Sequence, residues 1–335
     1  MAGFGGFLPI YTDQDGDLGL ITSQRVGVLG YGAQGCAHAL NLRDSGVDVQ
    51  IGLYAHSNST SLAQQEGFEV CSVSECAQEC DLLAVMLPDE IHQQVYTQEI
   101  APFLRPNQTL LFAHGFSVHF KQIQAPKGVG VILCAPKGPG YALREKYQQN
   151  SGLFALVGVE QDSQQGNARD LALSYAIAIG SGRVGILETT FKHEACADLF
   201  GEQAVLCGGL VGLLQNAFNT LLEAGYPAEL AYFECVHEIK LIADLIYNKG
   251  LVSMQEHISN TAEYGGLLAA QKLINLESKA RMQELLSQIE SGEFTRAFMQ
   301  EAQGGHKMLT QNKSQLANQP LEQVGAHLRA HLFKA

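Results

Sequence analysis

The chain predicts an α/β protein in two parts: an N-terminal Rossmann-type parallel-sheet domain followed by an all-helical C-terminal domain. Residues 24–35 read QRVGVLGYGAQG, an apolar run that enters a glycine turn and then the helical stretch CAHALNLRDSG. Short apolar runs then alternate with helical ones as far as Glu188, and the runs lack polar alternation, as strands do when helices cover both faces of a sheet. After Thr190 the strand pattern stops and long helical stretches with sparse glycines fill the rest.

The opening residues, up to about position 20, are expected to form an arm packed on the sheet. Candidate strands follow at 26–30, 47–53, 81–87, 109–115, 130–136, 153–159 and 183–188. The expected boundary lies near residue 190, giving a dinucleotide-binding domain at 1–189 and a metal and substrate domain at 190–335.

In the turn after the first of these strands, Gly30 permits the tight bend, Gly32 lets a pyrophosphate approach the backbone, and Gly35 lets the helix pack close to the strand. The helix start then offers unpaired N–H groups and a positive dipole end to an anion. Gly30, Tyr31, Gly32, Ala33, Gln34 and Gly35 are therefore the candidate cofactor turn.

Composition narrows the partners. A net charge of −13 and the lack of a basic block oppose nucleic-acid or membrane-surface binding, since both partners are polyanionic. Eight cysteines with no signal peptide fit a reducing, cytoplasmic setting. Cys71, Cys76 and Cys80 lie close together, but they read better as buried thiols than as a metal knuckle. No apolar run is expected to approach transmembrane length.

Two acid pairs stand out in the second half. Asp198 and Glu202 lie four apart, as do Glu234 and Glu238, so each pair stacks on one face of a helix. The α-helical faces continue through Val205 and Gly209, and through Leu241 and Leu245, which directs the acids toward a core or cleft. Four carboxylates clustered in low dielectric need a cation. Oxygen ligands favour a hard ion, and Mg²⁺ suits a few carboxylates completed by waters and substrate oxygens. Zinc fits less well, because His193 and His237 fall on other helix faces.

With these residues in view, the chain resembles ketol-acid reductoisomerase (acetohydroxy acid isomeroreductase) of the short, class I form. The resemblance runs through GYGAQGCAHALNLRDSG, LPDE at 87–90, FAHGF at 112–116 and APKGPG at 135–140. It continues through TTFKHEACADLFGEQAVLCGG, YFECVHEIKLIADLIYNKG and ISNTAEYGG, and so covers nearly the whole chain. It implies a knotted helical domain, a homodimer or larger homo-oligomer with shared active sites, and a place in valine and isoleucine biosynthesis. The implied reaction is a Mg²⁺-dependent alkyl shift on 2-acetolactate or 2-aceto-2-hydroxybutyrate, then NADPH reduction to the 2,3-dihydroxy acid.

Carried onto this chain, the resemblance makes Asp198 and Glu202 ligands of two magnesium ions, with Asp198 bridging them, and puts Glu234 and Glu238 beside the second ion. Ser259 matches the serine that contacts the substrate carboxylate from the partner subunit. His114 and Lys137 match active-site residues, and Asp89 and Gly140 match cofactor-proximal positions. Tyr54, Ser57 and Ser59 fall in the loop that reads the cofactor's 2′-phosphate.

The chain departs from the family pattern at several places. Ala33 and Cys36 stand where Ser and His are usual, His193 and Cys196 replace two acids, and Gly266 ends a motif that usually ends in Asp. Tyr54 stands where NADP-preferring members usually carry Arg. No acid occurs from Gln50 to Ser59, so the loop lacks the anion of an NAD site and is expected to take NADPH, with NADH possible. Two competing readings are a hydroxy-acid dehydrogenase with a helical substrate domain, which would lack the four acids, and a Rossmann-type redox regulator, which the negative charge opposes.

Overall fold

The computed structural model describes residues 6–332. The chain folds into two compact units, the first ending at Ala195 and the second beginning at Cys196.

The first unit is built on nine strands: β1 Ile10–Tyr11, β2 Arg25–Leu29, β3 Asp48–Gly52, β4 Glu69–Cys71, β5 Leu82–Val85, β6 Thr109–Phe112, β7 Gly130–Pro136, β8 Ala155–Gln161 and β9 Ile186–Glu188. They form one sheet in the order β1-β9-β8-β7-β6-β5-β2-β3-β4. From β4 to β7 all pairings are parallel, and the order matches the doubly wound dinucleotide-binding arrangement. The chain reverses between β2 and β5, so the loops leaving those strands open a crevice at that point.

The sheet is not wholly parallel. β8 runs antiparallel to β7, and β1 antiparallel to β9, a detail of direction that the sequence pattern does not carry. An unalternating apolar strand shows burial on both faces but not direction, and β7 and the first four residues of β8 are of this kind. The short strand β4, half-exposed at the edge, carries too little pattern to be read in advance.

Two apolar layers cover the sheet. One gathers Val26, Val28, Leu42, Ile51, Leu82, Leu111, Ile132 and Tyr175. The other gathers Leu29, Leu83, Phe112, Leu133, Ile100 and Phe191. His38 is wholly buried in the first, where its Nδ1 meets the Tyr175 hydroxyl at 2.9 Å, and burial pushes its pKa down to about 3.

The second unit contains no strand among the described residues. Its helices include Gly209–Glu223, Ile239–Glu256, Asn260–Leu273, Leu276–Glu290, Glu293–Gln303, Lys307–Ala317 and Pro320–Leu332. Its best-defined core is small, with Phe218, Ala231 and Tyr232 packed by Leu221, Leu321, Val324 and Leu328. Much of its apolar surface is exposed: Leu206, Leu213, Leu241, Leu251, Leu267, Leu273 and Ile274 all face outward by half or more.

Phe191–Glu223 forms one helical run of 33 residues, long and apolar enough by length and composition to cross a membrane. This corrects the expectation that no run reaches that length; three helical segments join end to end without the break that Gly208 and Gly209 suggest. The same composition suits a helix whose apolar face is covered by a second chain.

Candidate active site

The glycine turn follows β2 directly. Gly30 has φ +96°, in the left-handed region, and a Cβ there would lie 2.7 Å from the Met86 carbonyl oxygen. A Cβ on Gly35 would lie 2.2 Å from the Gly30 carbonyl oxygen, so the helix Ala33–Asp44 can start this close to the strand only with glycine. Gly32 has open space in front of it, and as N-cap it offers no side-chain acceptor, so the first N–H groups of the helix point outward without a cap.

The loop after β7 closes on this turn. Gly140 begins the helix Gly140–Gln148, and a Cβ there would fall 2.1 Å from the Ala33 carbonyl oxygen. The Gln34 side chain donates from Nε2 to the Gly138 carbonyl at 3.0 Å. Gln34 therefore braces the turn. The Tyr31 ring is buried edge-on against Phe68, and its hydroxyl donates to Glu66, which leaves its backbone to the turn.

Tyr54 is exposed in the loop after β3. The Ser57 hydroxyl accepts from the Ser59 N–H at 3.3 Å, and Ser59 caps a short helix without using its side chain. Both hydroxyl protons remain available to an incoming acceptor. Asp89 opens the helix Asp89–Val95 after β5. Burial raises its pKa, opposed by the nearby His114 and His92.

His114 and Lys137 meet at a residue that sequence reasoning passed over. Glu194, on the helix Phe191–Gly201, is almost fully buried. Its Oε2 accepts from the Gly115 N–H at 2.6 Å and from His114 Nδ1 at 3.0 Å, and its Oε1 accepts from Lys137 Nζ at 2.7 Å. Burial pushes its pKa upward, but the His114 bond and charge, then Lys137, outweigh that and hold it below the ordinary carboxylate range. Glu194 is thus an ionised anchor. It holds the His114 ring through Nδ1. The signal in the sequence is its spacing: Glu194 lies one helical turn before Asp198, between the replacements at His193 and Cys196.

The acid pairs are placed differently from expectation. Asp198 is half-buried, and Glu202, Glu234 and Glu238 are exposed. Among the described residues, no three of these four carboxylates gather within reach of one ion. The assumed α-helical stripes also break. A π-turn occupies Glu202–Leu206, where the Cys207 N–H bonds the Glu202 carbonyl at 2.8 Å. A second occupies Phe233–His237, with the Glu238 N–H bonding the Phe233 carbonyl at 3.3 Å. Each wide turn shifts the residues beyond it around the axis, and Val205 and Leu241 are exposed rather than lining a core. Ser259 is also exposed, and caps the helix Asn260–Leu273 by accepting from the Ala262 N–H at 3.2 Å.

Comparison with known proteins agrees with this geometry. Residues 20–185 match the family model described as acetohydroxy acid isomeroreductase, NADPH-binding domain, and residues 191–333 match the ketol-acid reductoisomerase C-terminal domain. The ketol-acid reductoisomerase (NADP(+)) of Helicobacter pylori strain HPAG1 is 54% identical over 323 residues, covering 96% of this chain and 98% of that protein. The enzyme of the same name from Helicobacter acinonychis strain Sheeba is 53% identical over 322 residues, covering 96% and 97%. The solved structure of an NADH-preferring ketol-acid reductoisomerase from an uncultured archean superposes with TM-score 0.95 at 42% identity, covering 98% of this chain and 100% of that one. The glycine turn after β2, the helical second half and two family models that together span most of the sequence have one explanation: the chain belongs to the ketol-acid reductoisomerase family.

Proposed function

We propose that this enzyme converts 2-acetolactate or 2-aceto-2-hydroxybutyrate to the corresponding 2,3-dihydroxy acid by an alkyl shift followed by reduction, in branched-chain amino acid synthesis. The observation that carries the reading is the anchored trio of Glu194, His114 and Lys137, one helical turn before Asp198. When bound, Mg²⁺ supplies Lewis-acid polarisation of the substrate oxygens and NADPH supplies the hydride.

The donor set fits the metal: Asp198, Glu202, Glu234 and Glu238 offer hard oxygens only. His114, oriented by Glu194, is placed to take or relay the proton of the tertiary hydroxyl through Nε2. Lys137 adds a fixed positive charge beside it, which favours anionic forms of the substrate.

Asp198 is not joined by Glu234 and Glu238 within one chain, and the second unit exposes a wide apolar surface. Both features support a homodimer or larger homo-oligomer in which Glu234, Glu238 and Ser259 complete the partner's site, with the helical half threaded as the family's knot. All eight cysteines are free thiols, which supports a reducing, cytoplasmic setting.

Cofactor preference rests on the loop after β3. Ser57 and Ser59 offer hydroxyl donors to a 2′-phosphate, with Tyr54 in place of a bidentate arginine. NADPH is therefore preferred, less strongly than in arginine-bearing relatives. The family itself contains both habits, since the relatives named above include NADP(+) enzymes and an NADH-preferring one.

The test is purified protein with 2-acetolactate, MgCl₂ and NADPH, following loss of reduced-nicotinamide absorbance. Turnover that requires all three supports the reading. Oxidation of NADPH that is unaffected by a chelator would contradict it.

A further inference from the structure

We propose that Cys71 and Cys76 form a reversible disulfide that weakens NADPH binding, a thiol switch built into the edge of the sheet. Their sulfurs lie 3.2 Å apart, and only about 1 Å of further approach separates them from a bond. Cys71 ends the edge strand β4 and is half-exposed, whereas Cys76 is buried on the helix Val73–Glu79. That is the arrangement of an accessible attacking thiol backed by a resolving one. Either sulfur can donate across this contact, and the contact lowers the Cys71 pKa and favours its thiolate.

The position of Cys71 links the pair to the cofactor loop. Its carbonyl accepts the Leu53 N–H at 3.0 Å, and Leu53 leads directly into Tyr54–Ser59. Cys76 also packs beneath the end of β3, where a Cβ on Gly52 would lie 3.0 Å from its sulfur. Drawing Cys71 onto the helix shifts the end of β4 and loosens the bond that holds Leu53. The effect on NADPH rests on the proposed role of this loop in binding the cofactor.

The oxidant is a low-molecular-weight disulfide. The Cys71 thiolate attacks one of its sulfurs and expels a thiolate, leaving a mixed disulfide. Cys76 then loses its proton and attacks the Cys71 sulfur, expelling the second thiolate. Two electrons and two protons pass from the protein to the reagent, which leaves as two thiols.

Proteolysis after glutamate separates the three neighbouring cysteines, because Glu69, Glu75, Glu79 and Glu90 place Cys71 in fragment 70–75, Cys76 in 76–79 and Cys80 in 80–90. The intact protein is treated with 2,2′-dithiodipyridine, cleaved and analysed by mass spectrometry, and NADPH affinity is titrated in parallel without substrate. The expected result is fragment 70–75 joined to 76–79, with NADPH Kd raised roughly tenfold and restored by dithiothreitol. Cys71→Ser loses the joining and the oxidation sensitivity together, and Cys76→Ala does the same. Recovery of separate fragments, joining of 76–79 to 80–90 instead, or joining with unchanged NADPH Kd would overturn the proposal. If instead the alanine pair Ser57→Ala and Ser59→Ala leaves NADPH Kd unchanged in the reduced protein, the loop assignment fails, and the joined fragments still establish the thiol pair.

Discussion

The two halves of this molecule differ in how much of their chemistry a single chain completes. In the first unit the glycine turn is tightly specified, Gln34 and Gly140 brace it, and Glu194 holds His114 and Lys137 from a buried position. In the second unit the four candidate metal acids are mostly exposed and no three of them come together among the described residues, the core is small, and large apolar side chains face outward. One half is finished by folding. On the function proposed above, the other would be finished by assembly and by a bound cation, since carboxylates kept apart in one chain avoid the repulsion they would meet without the ion.

The sharpest way to test that contrast is to damage the second half alone. Asp198→Asn should reduce both the alkyl shift and the overall reaction by at least about a thousandfold, since ligation of this kind supplies several kcal/mol of charge stabilisation. NADPH affinity should stay within about twofold, because the cofactor turn belongs to the first unit. Near-normal turnover at saturating Mg²⁺ would break the assignment.

Damage to the anchor in the first half should cost less. Glu194→Gln should lower kcat roughly 10–100-fold, as loss of an orienting partner does, with little change in NADPH Kd. It should also change stability with pH. The folded pKa of Glu194 lies below its unfolded value, so its stabilising contribution is full above the ordinary carboxylate range and disappears as pH falls through the lowered folded value. Denaturant titration should therefore show wild type and Glu194→Gln differing most near neutrality and converging in acid. A constant gap across that range would contradict the anchor's ionised state.

The smallest effect is expected in the cofactor loop. Ser57→Ala with Ser59→Ala should raise KM for NADPH about tenfold, in line with lost hydrogen bonds to a charged acceptor, and leave KM for NADH nearly unchanged. Equal losses for both cofactors would mean that the loop does not read the phosphate.

What the sequence revealed follows the same division. The turn at Gly30–Gly35 was legible because Gly30 and Gly35 answer local steric demands, seen in their close approaches to the Met86 and Gly30 carbonyls, while Gly32 leaves open space. The helical character of the second half was legible from the loss of the strand pattern after Thr190. Strand direction was not, since the apolar first half of β8 reads the same whichever way the strand runs. The stripes through Val205 and Leu241 failed because a π-turn leaves no mark in apolar periodicity, and because apolar spacing cannot tell a core from an interface with another chain. Glu194 was missed because a buried anchor is defined by partners 57 and 80 residues away.

The central claim, that one chain's Asp198 works with another chain's Glu234, is tested most directly by mixing two inactive variants. Asp198→Asn and Glu234→Gln homo-oligomers are unfolded together, refolded and assayed with 2-acetolactate, Mg²⁺ and NADPH. If sites are shared between subunits, each mixed dimer carries one site with both damaged residues and one site with neither, so random pairing should recover about a quarter of wild-type activity. If each chain builds its own site, every site in the mixture carries one lesion, and the activity should remain at the level of the separate variants.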